Sequence, residues 1–269
     1  MNLDNLFNRL WNDYISQNPS AGKIHELFVN EGETVVNDHI AFRTIDRPEI
    51  NVDVLALPFV SRGYVEKGEY YFKEKHLYAK HFELKGDDRA PRIFISHLIL
   101  SECSPFIQST LNSAFEKAQL IKNKPEELII SGSVFAPLSY QVFKQLSEES
   151  EYAAWFYVFG YRANHFTISI NSLKKYDEIL KVNDFLKRNG FVLNSSGGEV
   201  KGTRSDLLQQ SSTLADAVKV KFLEGSYEVP CCYYEFAQRF YDSNGHLYNG
   251  FVAKSADKIF ESTNFHRSK

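Results

Sequence analysis

The chain has 269 residues and a mass of 31.0 kDa, and its 43% of hydrophobic residues, with 14% aromatics, are sufficient for a packed core. Its formal net charge is −3 and its pI is near 6.3, and it has no long Lys/Arg tract, which argues against a nucleic-acid-binding protein. The N-terminus lacks the plan of a signal peptide, and no apolar run approaches the roughly 18 residues of a membrane span. Three cysteines do not suggest a disulfide framework, so we predict a cytoplasmic protein without nucleic-acid or membrane partners.

The first part of the chain is predicted to be helical and then to form a βαβββ unit. Residues 1–36 contain two stretches that favour helices, MNLDNLFNRLWNDYISQ and AGKIHELFVN. Residues 37–100 then give a strand (NDHIAFRTI), a helix (NVDVLALPFVSRG) and three strands (YVEKGEYYFKE, HLYAKHFEL and RIFISHLIL) separated by polar turns. His76 and His81 lie in a charged hairpin and are expected to be solvated.

A second unit of the same order follows a helical insertion over residues 104–150. Within residues 163–240, NHFTISIN is predicted to be a strand, SLKKYDEILKVNDFLKRNG a helix, and VKVKFLEG and YEVPCCYYEFAQRF strands. The weakly patterned stretch between Gly197 and Ala217 is expected to hold the missing strand and a loop. Two such units predict an α+β fold in one compact domain, residues 1–269, whose curved, barrel-like mixed sheet surrounds a central site.

An imidazole and a guanidinium share one face of the strand NDHIAFRT. Because successive side chains of a strand point to opposite faces, His39, Ala41 and Arg43 lie together, while the opposite face is the more apolar one. The second unit repeats this feature, since His165, Thr167 and Ser169 share a face of its leading strand. A polar face on an otherwise buried strand suggests the wall of a site.

The last long strand places Glu235 among aromatic residues and on the same face as Arg239. A buried carboxylate needs a counter-ion or a metal. Two histidines and one carboxylate suit a non-haem Fe(II) centre, because they leave coordination positions free for substrate and oxygen. His39, His165 and Glu235 are therefore candidate metal ligands, and structural alternatives remain open: hydrogen-bonded core histidines, with Glu235 paired to Arg239 or Lys219.

Arg43 and His97 are the other candidates of the first unit. Four strand residues span about 13 Å, so Arg43 could bind the far carboxylate of a small diacid whose 2-oxo-acid end chelates a metal at His39. A structural salt bridge from Arg43 to Asp46 or Glu235 is the alternative. His97 alternates with isoleucines and reads as a core histidine, with support of the metal site as its rival role. Arg239 is a further candidate for such support.

Several of these segments together resemble the 2-oxoadipate dioxygenase/decarboxylase family, also called hydroxyglutarate synthases. The similarity rests on DHIAFRT, AWFYVFGYRANHFTISIN, YYEFAQRF and the closing YNGFVAKSADKIFEST, and it spans most of the chain. The resemblance implies a fold related to the vicinal-oxygen-chelate (glyoxalase-like) superfamily and an Fe(II) enzyme that uses O2 to decarboxylate 2-oxoadipate to 2-hydroxyglutarate.

The resemblance also assigns residues. It implies that His39, His165 and Glu235 bind the metal and that Arg43 binds the substrate carboxylate. Further expected substrate contacts are Thr167, Ser169, Lys254 and Ser255. The family usually has SAAGIF where this chain has SADKIF, residues 255–260, and this difference concerns the substrate pocket. Two other functions remain open: a Zn(II)- or Ni(II)-dependent isomerase or hydrolase on the same scaffold, and a non-catalytic small-molecule-binding protein.

Overall fold

The computed structural model describes residues 2–117, 125–133 and 135–252, and their fold is mixed α and β. The predicted N-terminal helix pair is present, and further helices cover both halves of the chain. The helices are α1 (Leu3–Gln17), α2 (Pro19–Asn30), α3 (Val52–Val60), α4 (Pro105–Lys117), α5 (Pro125–Leu128), α6 (Tyr140–Glu149), α7 (Glu151–Phe159) and α8 (Ile179–Arg188). None of the helices within the described ranges is both long and apolar enough to cross a bilayer.

A seven-stranded sheet is the centre of the fold, with the strand order β2-β3-β4-β1-β5-β9-β6. The strands β1 and β5 lead the two units and pair antiparallel in the middle, and each pairs in parallel with the last strand of its own unit. The sheet curls into a half-barrel, as the α+β prediction requires. The strands are β1 (Asn37–Ile45), β2 (Tyr64–Phe72), β3 (Leu77–Leu84), β4 (Arg92–Leu98), β5 (Ala163–Ser169), β6 (Leu208–Ser212), β7 (Ala217–Phe222), β8 (Gly225–Pro230) and β9 (Glu235–Arg239).

The second unit differs in detail from the predicted βαβββ order. The missing strand is β6, in the weakly patterned stretch, but VKVKF forms β7, which pairs only with β8 in a separate two-stranded sheet. The segment YEVPCCYYEFAQRF is not one strand: β8 ends at Pro230, whose nitrogen has no hydrogen to donate to a ladder, and β9 begins at Glu235. The second unit therefore gives three strands to the main sheet, where the first gives four.

The apolar face of the central strands is covered by helices. Phe42 of β1 packs on Phe59 of α3 with ring centroids 5.6 Å apart. Phe166 of β5 lies 5.1 Å from Trp11 of α1 in an edge contact, and Phe236 of β9 contacts Phe28 of α2. This burial, the main source of folding free energy, leaves the opposite face of the same strands for His39, His165 and Glu235. We call that opposite face the site face.

The aromatic segment before β5 is a helix, α7, which the sequence pattern left unassigned. It is apolar almost all round, as expected of a helix that is buried on every side. It ends at Gly160, whose backbone has φ +61° and ψ −131°, a conformation that L side chains rarely adopt. This turn directs the chain into β5, so it helps to position His165.

Replacing Gly160 with Ala should destabilise the protein markedly. Strain at the positive φ costs about 1–3 kcal/mol, and the added Cβ would lie 2.4 Å from the carbonyl oxygen of Gly132, so the backbone must also shift. Gly32→Ala is the control, since its φ is +81° but nothing lies within 4 Å of the added Cβ. Chemical denaturation of both variants measures the difference. Equal losses of unfolding free energy would contradict the proposed clash.

Candidate metal centre

The three predicted ligands come together on the site face. In the strand register, Thr167 of β5 lies directly between His39 of β1 and Glu235 of β9. His165 precedes Thr167 by two residues, so its side chain points to the same face. The ligands are thus contributed by three neighbouring strands, although they are 70 to 196 residues apart in sequence.

The three side chains offer ligand atoms that all lie within 4.8 Å of one another. The Nε2 atom of His39 is 3.4 Å from one oxygen of Glu235, and the Nε2 atom of His165 is 3.3 Å from the other. All three residues are buried. Such a set of two imidazoles and one carboxylate is a typical site for a divalent transition metal.

Neighbouring residues fix which nitrogen of each histidine faces the cluster. The Nδ1 atom of His39 lies 2.8 Å from a carboxylate oxygen of Asp38, and the Nδ1 atom of His165 lies 3.0 Å from the amide oxygen of Asn164. Both partners accept hydrogen bonds, so each Nδ1 carries the proton. Each Nε2 then presents a lone pair toward Glu235, as a metal ligand must.

Asp38 is held in place by Arg239. The guanidinium of Arg239 donates two hydrogen bonds to the Asp38 carboxylate, at 2.7 and 2.8 Å, and both side chains are buried. Burial opposes ionisation, but Arg239 and the hydrogen bond from His39 hold the pKa of Asp38 well below its usual value. Asp38 thus remains a carboxylate that can orient the imidazole of His39.

One carboxylate oxygen of Glu235 lacks a hydrogen-bond partner among the described residues. Its Oε1 atom accepts a hydrogen bond from the amide of Gln210, whereas its buried Oε2 atom has no hydrogen-bond partner among the described residues. Burial raises the pKa of the Glu235 carboxyl to about 8. Burial also lowers the pKa of His39 and, more strongly, that of His165, where His39 and Arg43 add to the effect. A buried, largely neutral cluster with an unsatisfied oxygen suits a bound cation.

Arg43 lies on the site face but pairs with a residue that the sequence pattern did not indicate. Its Nη1 donates to Glu151 at 2.6 Å, whereas the sequence had suggested Asp46 or Glu235 as its structural partner. The guanidinium carbon lies 4.8 Å from the ring centroid of Tyr152 and 5.1 Å from that of Trp155. Arg43 is therefore buried against α7, with its orientation fixed by one carboxylate and two aromatic rings.

Aromatic residues cover the His39 side of the cluster. The ring of Phe251 packs edge-on against His39 with centroids 4.9 Å apart, and it also contacts Tyr70 and His81. His81 was expected to be solvated, but it is buried. Its Nδ1 lies 2.9 Å from the hydroxyl of Tyr70, and its Nε2 lies 3.2 Å from a carboxylate oxygen of Glu83. The alternation of β3 turns the His81 side chain inward, but the charged residues around it in the sequence had suggested an exposed position.

The remaining candidate residues have different positions. The hydroxyl of Thr167 lies 3.0 Å from Nε2 of His39, in the cluster itself. Ser169 lies further along β5 and lines a cleft with Asp38 and Arg239. His97 pairs with Thr44, five residues along β1 from His39, and its ring packs on Tyr78, so the structure does not bring it to the cluster. Lys254, Ser255 and the SADKIF segment lie outside the described residues.

The curled mixed sheet has a glyoxalase-like fold, and the cluster of His39, His165 and Glu235 is a candidate metal site within it. The fold is similar to that of a protein from Ralstonia eutropha JMP134 assigned to the glyoxalase superfamily, with a TM-score of 0.73 over 91% of this chain and 84% of that chain at 18% identity. A family model described as 2-oxoadipate dioxygenase/decarboxylase matches residues 5–133 and 131–245. The chain belongs to the 2-oxoadipate dioxygenase/decarboxylase family, an enzyme family.

Individual relatives agree with this membership. The chloroplastic/amyloplastic 2-oxoadipate dioxygenase/decarboxylase of Oryza sativa subsp. japonica is 38% identical over 274 residues, which cover 93% of this chain and 75% of the rice protein. The crystal structure of the Oryza sativa hydroxyglutarate synthase in complex with 2-oxoadipate has a TM-score of 0.93 at 35% identity, covering 98% of this chain and 92% of that chain. A Shewanella frigidimarina protein described as a candidate hydrolase is 48% identical, with a TM-score of 0.87 over 93% of this chain and 97% of that chain.

Proposed function

We propose that this chain is an Fe(II)-dependent dioxygenase that converts 2-oxoadipate and O2 to 2-hydroxyglutarate and CO2. The reaction balances without a further reductant, because the substrate loses one carbon as CO2 and both oxygen atoms of O2 end in the two products. The observation that carries the proposal is the convergence of His39, His165 and Glu235 in a chain whose relatives bear this activity in their names.

Three residues would hold the metal, and their neighbours prepare them for it. His39 and His165 present Nε2 lone pairs, and Glu235 presents an oxygen without a partner. Bound Fe(II) would supply the site for chelation of the 2-oxo acid and for reaction with O2. Because the cluster is buried, water is kept from the reacting carbon, and the apolar surroundings strengthen the electrostatic interactions within the site.

Arg43 would bind the distal carboxylate of the substrate. Arg43 stands four residues from His39 on the same face of β1, about 13 Å along the strand. If its long side chain leans back toward His39, the gap between the guanidinium and the metal site shortens to about the length of a six-carbon acid. Glu151 and the rings of Tyr152 and Trp155 hold the guanidinium in one orientation. A substrate fixed at both ends keeps the carbon to be hydroxylated beside the metal.

Oxygen uptake tests the proposed reaction. Protein loaded with Fe(II) without air and given 2-oxoadipate should consume O2 on admission of air and release CO2 in equal amount. The His39→Ala variant, treated in the same way, should do neither. Binding of 2-oxoadipate without oxygen consumption would contradict the proposal and favour a binding protein.

A hydrolase is the second candidate, because the Shewanella relative is described in that way and shares 48% of its residues. With Zn(II) or Ni(II), the same three ligands could polarise a carbonyl group or a water molecule. This function needs no O2. Turnover of an ester or amide by Zn(II)-loaded protein, unchanged without air, would favour it over the dioxygenase.

Arg43→Lys should weaken the turnover of 2-oxoadipate. Lysine keeps the charge but loses the two-pronged hydrogen bond and the planar stacking on Tyr152 and Trp155, so kcat/KM should fall by an amount equivalent to about 1–3 kcal/mol. Metal content should not change, because Arg43 is not a ligand. Steady-state kinetics and elemental analysis measure both quantities.

Arg47→Lys is the matched control for this prediction. Arg47 lies just beyond β1 and contacts Asn112 and Glu49 rather than the site face. Its replacement should leave kcat/KM close to the native value, because lysine keeps the charge and position 47 lies beyond the end of β1. If the Arg43→Lys variant kept its kcat/KM as this control does, Arg43 would have a structural role and would not bind the substrate.

A further inference from the structure

The proposed function gives no role to Tyr233, a buried residue next to the candidate metal centre. It precedes Glu235 by two residues and is fully buried. Its ring stacks on the imidazole of His165 with centroids 4.7 Å apart and an interplanar angle of 26°. The backbone carbonyl of Tyr233 accepts a hydrogen bond from the hydroxyl of Tyr14, which anchors this part of the chain to α1.

The hydroxyl of Tyr233 has no hydrogen-bond partner among the described residues. Leaving a buried hydroxyl unpaired costs about 1–3 kcal/mol, so an unpaired group beside a site suggests a ligand that completes it. Burial raises the pKa of this phenol, and the charges of Glu235, Arg43 and Glu151 also act on it. The ring of Tyr233 lies against His165 on one side. Near the other end of the site, Trp155, which packs on Arg43, donates a hydrogen bond to the carbonyl oxygen of Cys231, two residues before Tyr233. As a neutral O–H, the phenol can donate a hydrogen bond to a carboxylate.

The adjacent Tyr234 is a useful comparison, because it too is a buried tyrosine but lies away from the predicted ligands. Its hydroxyl is also buried and without a partner among the described residues, but its ring contacts Trp11, Tyr14 and Phe236 on the helix side of the sheet. Burial raises the pKa of its phenol. The two tyrosines therefore differ in their surroundings, and only Tyr233 faces the predicted ligands.

We propose that the hydroxyl of Tyr233 donates a hydrogen bond to the distal carboxylate of a 2-oxo diacid, and that Tyr233 and Arg43 together select diacids over monoacids. The inference rests on the proposed function, because it places the substrate between the metal centre and Arg43. A phenol and a guanidinium can bind different oxygens of one carboxylate. A monoacid would leave the hydroxyl of Tyr233 buried and unpaired, which is how a polar site rejects an analogue that lacks the matching group.

Two acids of equal chain length test this assignment: 2-oxoadipate and 2-oxohexanoate, which lacks the distal carboxylate. Their binding to metal-loaded protein is measured by calorimetry without air, for the native chain, Tyr233→Phe and Tyr234→Phe. Tyr233→Phe should weaken the binding of 2-oxoadipate by roughly tenfold, the typical effect of one hydrogen bond to a charged group, and change that of 2-oxohexanoate by less than twofold. Tyr234→Phe should not change the ratio of the two affinities.

Equal weakening for both acids would overturn the assignment, because Tyr233 would then act on the part of the substrate that they share. An unchanged affinity for 2-oxoadipate would also overturn it. The binding measurement does not require turnover. Native protein that binds 2-oxoadipate but never consumes O2 would contradict the dioxygenase, whereas the comparison of the two acids would still decide the role of Tyr233.

Discussion

Replacing Glu235 with Gln should abolish stoichiometric metal binding and, with it, oxygen-dependent turnover. The amide keeps the shape of the carboxylate and its contact with Gln210, but it removes the one anionic ligand of the cluster. Changes to residues that merely support metal ligands cost about 10–100-fold in metal affinity, so loss of a ligand should cost at least about 100-fold. Elemental analysis after dialysis and calorimetric titration with metal measure the effect.

Glu33→Gln provides a matched control, because Glu33 is also a buried glutamate but lies away from the cluster. Its carboxylate accepts hydrogen bonds from the backbone nitrogens of Lys174 and Lys175. Its replacement should lower stability and leave metal content intact. Retention of one equivalent of metal by Glu235→Gln would mean that the carboxylate is not a ligand, and that Glu235 is held instead by hydrogen bonds to neighbouring residues.

Arg239→Leu should strongly destabilise the protein and also weaken its metal binding. Arg239 donates to both oxygens of Asp38 and to the carbonyl oxygens of Tyr248 and Gly250. Its removal leaves a buried carboxylate whose nearest remaining guanidinium, on Arg92, is 3.7 Å away. Breaking such a pair costs about 3–5 kcal/mol, and a less well-fixed Asp38 should weaken metal binding through His39 by about 10–100-fold.

The exposed pair Lys181–Asp177 serves as the reference for this experiment. Its atoms are 2.7 Å apart, but both side chains are about half exposed, so Lys181→Ala should cost well under 1 kcal/mol. Chemical denaturation of the metal-free variants separates the effect on folding from that on metal binding. A loss below 1 kcal/mol for Arg239→Leu would show that Asp38 does not depend on its partner.

Strand alternation was sufficient to predict which residues share the site face. In β1 and β5 it separated the helix-covered apolar side from the side of His39 and His165, and it placed Glu235 and Arg239 on one face of the last strand. The amphipathic pattern also predicted helix α8, although the helix begins at Ile179 and not at Ser172, where the predicted segment starts. These features depend on local periodicity, which a single sequence contains.

Contacts that depend on tertiary structure were not predicted. Asp38 should lie opposite His39 by alternation, but a register irregularity at Asn37–His39 lets its carboxylate reach the imidazole of its neighbour. Glu151 lies 108 residues from Arg43, and no local pattern reveals that α7 returns to β1. An acidic residue directly before the histidine of a buried strand was the one available sign of the Asp38 contact.

The β7–β8 hairpin was misplaced for a similar reason. Its alternating valines and lysines are typical of a half-exposed strand, but periodicity does not say which sheet a strand joins. Here the hairpin pairs with itself and packs on α6, where Tyr140 stacks on Tyr227 at 3.6 Å. Pro230 at the end of β8 was the visible signal that the ladder stops before Glu235.

The most direct test of the proposed metal centre is a crystal structure determined without air, with Fe(II) and 2-oxoadipate bound. We expect a single ion about 2.0–2.2 Å from the Nε2 atoms of His39 and His165 and from one oxygen of Glu235, the usual lengths for such ligands. The distal carboxylate of the acid should contact Arg43. An ion bound elsewhere, or held without one of these three residues, would contradict the account.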